Sequence, residues 1–155
     1  TAVVSVGHFG SPNRMYYGAI GDGVNLTARL ETINKSYATS IIASDATWAI
    51  ICDDFEGRML ESVAVKGKAE PVVIYELLGP KGEVDGKRLE AARTFEEAYG
   101  LYVTRHFDKA AEHFAAVLEL MPNDLGAKTL LKRSREFMEN PPPSSWYGVR
   151  EMTTK

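Results

Sequence analysis

The sequence predicts an α+β fold, in which an antiparallel sheet with helices is followed by a small all-helical C-terminal extension. Three observations support this prediction. Strand-like runs alternate with helical patterns over residues 1–79. Residues 80–86 are polar, contain two glycines and a proline, and are typical of a linker. Residues 87–139 contain helical patterns and no strand-like run, so the second half is predicted to be all helical.

The first half divides into short elements. β-branched and aromatic runs predict strands over residues 2–7, 15–20, 40–43, 58–65 and 72–78. Apolar residues recur at helical spacing at Leu26, Leu30 and Ile33. This spacing predicts a helix over residues 22–34 with Asp22 as its N-cap. A shorter helix is predicted to follow, from Ser44 or Asp45 to Cys52.

The helical half shows a repeat-like pattern. Residues 90–123 resemble one tetratricopeptide-like unit in their small and large apolar positions and closing proline, namely Ala98, Leu101, Phe107, Ala110, Phe114, Val117 and Pro122. One such unit cannot bury its own face, so residues 125–138 are expected to form a capping helix. Two roles stay open, a partner-binding or dimer-supporting appendage and a structural brace. Residues 140–155 are predicted to form an extended Pro-rich tail anchored by Trp146 and Tyr147.

Composition narrows the function classes. The 155 residues carry a net charge of −3, with no basic stripe, which argues against a nucleic-acid partner. The sequence has no apolar run of membrane-spanning length and a single cysteine, Cys52, which fits a reducing compartment. We therefore expect a cytoplasmic location. The chain begins inside a strand-like run without methionine, so we expect a fragment whose N-terminal part supplies neighbouring strands.

The helix over residues 22–34 carries the candidate chemistry. Asn25 and Arg29 are four residues apart, so they project about 40° apart around the helix and roughly 6 Å apart along it. An amide and a guanidinium on one face can stabilise negative charge on phosphate or sugar oxygens. The same spacing also suits an ordinary solvated face, and the spacing alone does not decide between the two.

Three motifs in the same order resemble the class III nucleotide cyclase catalytic domain. They are FGSPNRMYYGAIGDGVNLTARLE (residues 9–31), NKSYATSIIAS (34–44) and VKGKAEP with IYE (65–71 and 74–76). The resemblance covers residues 1 to about 78 and implies part of a ferredoxin-like cyclase domain. It implies conversion of ATP or GTP to a 3′,5′-cyclic monophosphate and pyrophosphate in signal transduction.

The resemblance also assigns residues. Asn25 and Arg29 match the pair that orients the ribose and stabilises the transition state, and Lys66 matches the lysine that contacts the terminal phosphates. Gly18 occupies the position of a purine-selecting residue and has no side chain to select with. Bacterial-type enzymes of this pattern favour ATP over GTP.

The family's metal site has no counterpart in the sequence. The two aspartates that hold Mg²⁺ or Mn²⁺ lie on earlier strands, and Asp22, Asp53 and Asp54 do not match them. No metal ligand is therefore predicted in this chain, and the chain alone is expected to be inactive. The resemblance implies a homodimer with active sites at the interface, either as a cytoplasmic enzyme or as the cytoplasmic portion of a membrane-anchored receptor cyclase. The alternative is a non-catalytic interaction module that docks a protein partner on its tetratricopeptide-like helices.

Overall fold

The computed structural model describes residues 1–64 and 70–151. Helices and strands alternate and then give way to three consecutive helices, which confirms the predicted α+β class. The elements, in chain order, are β1 (Ser5–Ser11), β2 (Arg14–Ile20), α1 (Asp22–Tyr37), β3 (Ile42–Ser44), α2 (Asp45–Ile51), β4 (Phe55–Ala64), β5 (Val72–Pro80), α3 (Gly86–Val103), α4 (Phe107–Leu120), α5 (Leu125–Glu139) and β6 (Val149–Glu151).

The strands of the described residues form two sheets. Strands β3, β5, β4 and β6 lie side by side in that order, while β1 and β2 form a separate hairpin. All pairings are antiparallel except that of β4 with β6, which is parallel. In the hairpin Ser11 pairs with Arg14, so only Pro12 and Asn13 form the turn. The first strand, predicted over residues 2–7, therefore starts later and continues through the glycine-rich segment.

At a bulge in strand β4, the alternation of buried and outward-facing residues shifts by one residue. Its pairing with β5 slips between Met59 and Glu61, which leaves Leu60 as the extra residue. Arg58 is buried before the slip, Leu60 within it, and Glu61 and Val63 after it. A regular strand would bury alternate residues only. The bulge therefore turns both Arg58 and Glu61 into the interior.

Helix α1 has the predicted buried stripe. Leu30 and Ile33 are buried, and Leu26 packs partly buried against the core. The prediction that Asp22 caps the helix is wrong, because Gly21 occupies the N-cap and Asp22 is the first helical residue. There the carboxylate still interacts favourably with the helix dipole. The helix also runs past the predicted end and finishes at Tyr37, which is buried.

The three C-terminal helices share one apolar core with the strands. Ala98 and Ala110 are fully buried, which lets α3 and α4 approach closely, and the rings of Phe95 and Phe114 meet at 5.4 Å between centroids. Helix α3 also binds β4 directly, because Glu96 accepts from the Met59 amide at 2.6 Å. The division into two domains and a linker, and a partner-binding role for these helices, stay predictions.

The tail is anchored by one of its two predicted aromatic residues. The Trp146 ring lies 5.2 Å from that of Tyr102 and 5.4 Å from that of Phe137, centroid to centroid. Tyr147 is 69% exposed, so the prediction that it anchors the tail is wrong. One reason is that Tyr147 lies beside β6, where the chain leaves the aromatic cluster to pair with β4.

A buried arginine joins the sheet to two helices. Arg58 donates to Glu76 of β5 at 2.7 Å and to Asp124, the N-cap of α5, at 2.5 Å. Its guanidinium also lies 4.5 Å from the centroid of the Phe95 ring on α3. Burial lowers the pKa of Arg58, but the two carboxylates outweigh burial, so the pKa is raised. Arg58 is therefore charged and joins three elements to its own strand.

We predict that Arg58→Met strongly destabilises the chain. The substitution leaves the buried carboxylates of Glu76 and Asp124 without this guanidinium, and breaking a buried pair costs about 3–5 kcal/mol. Urea unfolding followed by circular dichroism measures the loss. Lys132→Met is the matched control, because the ion pair of Lys132 with Glu136 is exposed and contributes little. Equal stability of the two variants would contradict the account.

Candidate active-site helix

Helix α1 presents Asn25 and Arg29 one turn apart on the same side. Asn25 is exposed in the first turn, and Arg29 is half-buried. The turn before them is regular, since the amides of Val24 and Asn25 donate to the Gly21 carbonyl at 3.1 and 3.4 Å. The fold thus brings an amide and a guanidinium together as the sequence predicts, and their roles in a reaction stay predictions.

Gly18 lies just before this helix, in β2. It pairs with Gly7 of β1 and is half-buried. A Cβ added at position 18 would meet only the Tyr16 ring, at 3.7 Å, which is an ordinary van der Waals distance. The backbone therefore does not require glycine here. Among the predicted site residues, Lys66 lies outside the described residues.

A groove of about 570 Å³ lies on the opposite face of α1. The rest of the lining comes mainly from β3, α2 and the first residues of the chain. Helix α1 contributes seven residues to the wall, namely Gly23, Val24, Leu26, Thr27, Leu30, Glu31 and Asn34. Asn25 and Arg29 do not line this groove. They face away from it, so any chemistry they perform takes place on the other side of the helix.

The second asparagine of α1 closes the helix. Asn34 accepts a hydrogen bond from the Thr39 hydroxyl at 2.7 Å through its side chain, and its carbonyl accepts from the Thr39 amide at 3.1 Å. Between them Ala38 adopts a left-handed conformation with φ 51°, which is common after a helix end. Asn34 is thus structural, whereas Asn25 projects into solvent.

Sequence reasoning missed the groups that fix the end of α1. The Tyr37 hydroxyl donates to Glu61 of β4, which is only 1% exposed. Arg133 of α5 donates to the same carboxylate at 2.7 Å. Burial, together with the Glu61 carboxylate, raises the pKa of Tyr37, so its hydroxyl stays protonated and donates. The sequence holds no signal for this cluster, because it depends on the burial of Tyr37 beyond the predicted helix end, which only the fold shows.

The described residues hold no cluster suited to a metal ion. Across residues 1–64 and 70–151, no group of three histidine, cysteine, aspartate or glutamate side chains converges. The described part of the chain thus does not fit the Mg²⁺ or Mn²⁺ that the resemblance implies. In the same part of the chain, no helix is both long and apolar enough to cross a bilayer.

Sequence comparison places the chain among known proteins. It is 35% identical over 130 residues, 80% of its length, to the terminal-differentiation-specific adenylate cyclase of Dictyostelium discoideum, and 40% identical over 79 residues, 51% of its length, to adenylate cyclase 1 of Rhizobium meliloti. Over these segments the chain is homologous to adenylate cyclases, as its three motifs predict. The aligned segments span 6% and 12% of these two cyclases, respectively.

The chain was also compared with solved structures and with protein-family models. The crystal structure of the adenylyl cyclase CyaB from P. aeruginosa is 35% identical in sequence, with a TM-score of 0.44, over 53% of this chain and 41% of that one. No protein-family model matches the chain. The homology to adenylate cyclases, which are phosphorus–oxygen lyases, therefore rests on the sequence relatives.

We predict opposite stability effects for the two asparagines of α1. Asn25→Ala leaves the chain as stable as before or slightly more so, because Asn25 is exposed and alanine has the higher helix propensity. Asn34→Ala lowers the free energy of unfolding by about 1 kcal/mol, because it removes the hydrogen bond from Thr39. Thermal unfolding by circular dichroism measures both. A large loss in Asn25→Ala would show that the side chain is structural.

Proposed function

We propose that this chain forms part of an adenylate cyclase, which converts ATP to 3′,5′-cyclic AMP and pyrophosphate. The observation that carries the proposal is the placement of Asn25 and Arg29 one turn apart on one side of α1, in a chain 35% identical over 130 residues to an adenylate cyclase. Both relatives described above are named adenylate cyclases, which favours ATP over GTP.

The reaction requires the nucleotide to be positioned and the negative charge on its phosphate oxygens to be stabilised. The 3′-oxygen of the ribose bonds to the α-phosphorus, the bond to the bridging oxygen of pyrophosphate breaks, and the hydroxyl proton is released. Such a displacement gains most from fixed geometry and from positive charge near the anionic oxygens. The Arg29 guanidinium supplies charge and paired donors. The Asn25 amide supplies a donor and an acceptor that can orient the ribose.

Metal ions and a second subunit complete the proposed enzyme. Mg²⁺ or Mn²⁺ would neutralise the triphosphate, and its ligands would come from residues other than those described. We propose a homodimer, in which one subunit provides the metal-binding aspartates and the other provides Asn25 and Arg29. This arrangement suits the exposure of Asn25, which leaves its amide accessible from outside the chain. The chain alone is then inactive.

Two further residues belong to this proposal. Lys66 would contact the terminal phosphates. Gly18 leaves the purine-facing position without a side chain, although the backbone has room for one, so selection of adenine would rest on other groups. The lone Cys52 fits a cytoplasmic enzyme or the cytoplasmic portion of an anchored one.

We predict that Asn25→Ala and Arg29→Ala each lower cyclic AMP formation by about 100-fold or more in the natural protein that contains this chain. The reason is that each variant removes a preorganised group that acts on developing negative charge. Turnover is measured with ATP and Mn²⁺, beside thermal unfolding and size-exclusion chromatography.

Lys35→Ala serves as the control on the same helix. Its ammonium is exposed and lies 3.9 Å from the exposed Glu31, so we expect turnover close to that of the parent. Near-normal turnover in both Asn25→Ala and Arg29→Ala, with folding and assembly unchanged, would refute the assignment. A preference for GTP would refute only the choice of nucleotide.

A further inference from the structure

The C-terminal end of α1 is tied to the helical layer through a buried carboxylate. Tyr37, the last residue of α1, donates its hydroxyl to Glu61 of β4. Glu61 also accepts from Arg133 of α5 at 2.7 Å, and the Arg150 guanidinium of β6 lies 3.7 Å from its other oxygen. One carboxylate, 1% exposed, thus gathers groups from three elements beyond its own.

Besides its hydrogen bond to Glu61 of β4, Tyr37 makes an apolar contact with α5 through its ring. A Cβ added at Gly126, in the first turn of α5, would lie 2.9 Å from Cδ1 of Tyr37 and 3.3 Å from Cε2 of Phe95. Both residues are buried. The absence of a side chain at Gly126 therefore lets α5 lie directly against the end of α1.

Helix α5 is itself fixed to the sheet at two points. At its start Asp124 accepts from the Ala127 amide at 2.8 Å and from Arg58 of β4 at 2.5 Å. More than two turns later, Arg133 binds Glu61. Because Arg58 and Glu61 lie on either side of the bulge in β4, α5 cannot shift along the strand without breaking a buried ion pair.

Helix α1 connects Tyr37 to the candidate active-site residues. Tyr37 follows Arg29 by eight residues, which is about 12 Å in a helix. Rigid secondary elements can carry coupling between sites, so we expect a shift at the end of α1 to displace Asn25 and Arg29 as well. A misplacement of about 1 Å can cost on the order of 100-fold in rate.

We propose that Tyr37, Glu61 and Arg133 are positioning residues, through which helix α5 sets the placement of α1. Because α5 sets the placement of α1, it also sets the placement of Asn25 and Arg29. The role in catalysis rests on the proposed function, whereas the coupling of α5 to α1 does not. The helical extension is then part of the machinery that orients the active-site helix.

The test compares two buried tyrosines. Tyr37→Phe removes the hydroxyl that ties α1 to Glu61. Tyr99→Phe is the matched control, since the Tyr99 hydroxyl accepts from the Ser62 amide at 2.9 Å and donates to the Gly148 carbonyl at 3.2 Å, neither of which belongs to α1. Gly126→Ala is a second test variant, which introduces no charge and presses most closely on the Tyr37 ring, with Asp124 Oδ1 and Phe95 next at 3.2 and 3.3 Å.

Hydrogen exchange of the α1 amides and steady-state kinetics are measured in the natural protein. We expect Tyr37→Phe and Gly126→Ala to speed exchange along α1, including the turn that carries Arg29, by at least about 3-fold. We also expect them to lower kcat by at least about 10-fold, with KM changed less than 3-fold. Tyr99→Phe should leave both the exchange of α1 and kcat near parent values.

Two results would overturn the inference. One is unchanged α1 exchange in both test variants, and the other is an equal effect of Tyr99→Phe on α1. If the parent protein forms no cyclic nucleotide, the proposed function fails, while the exchange rates still decide whether α5 holds α1. The two failures are therefore distinguishable.

Discussion

The structure depends on two opposite charges buried in one strand. Arg58 and Glu61 lie on either side of the bulge in β4, and each would be costly to bury without partners. Helix α5 supplies a partner for each, Asp124 for the arginine and Arg133 for the glutamate. An alternative register of α5 against the sheet would separate Asp124 from Arg58 and Arg133 from Glu61, so these two pairs favour one arrangement of the helical layer.

This arrangement gives α1 two distinct ends. Its C-terminal end is buried at Tyr37 and bound to Glu61, whereas its N-terminal turns carry the exposed Asn25 and the half-buried Arg29. A polar pair can act on a charged substrate only if it stays accessible and well placed. The buried end provides the placement, and the first turns provide the accessibility.

The sequence predicted what local patterns encode. The stripe of Leu30 and Ile33 identified α1, and the three motifs over residues 9–76 pointed to the cyclases that the relatives support. The bulge at Leu60 could not be predicted, because it depends on pairing with β5. For the same reason the last turn of α1 was missed, since Tyr37 is buried by contacts with Glu61 and Gly126, which are distant in sequence.

The measurement that tests the central claim most directly is cyclic nucleotide formation from ATP and from GTP with Mn²⁺. It is made with the natural protein that contains this chain and, in parallel, with the 155-residue chain alone. The account predicts cyclic AMP from the natural protein and none from the chain alone. No cyclic nucleotide from a folded, dimeric natural protein with either substrate would contradict it.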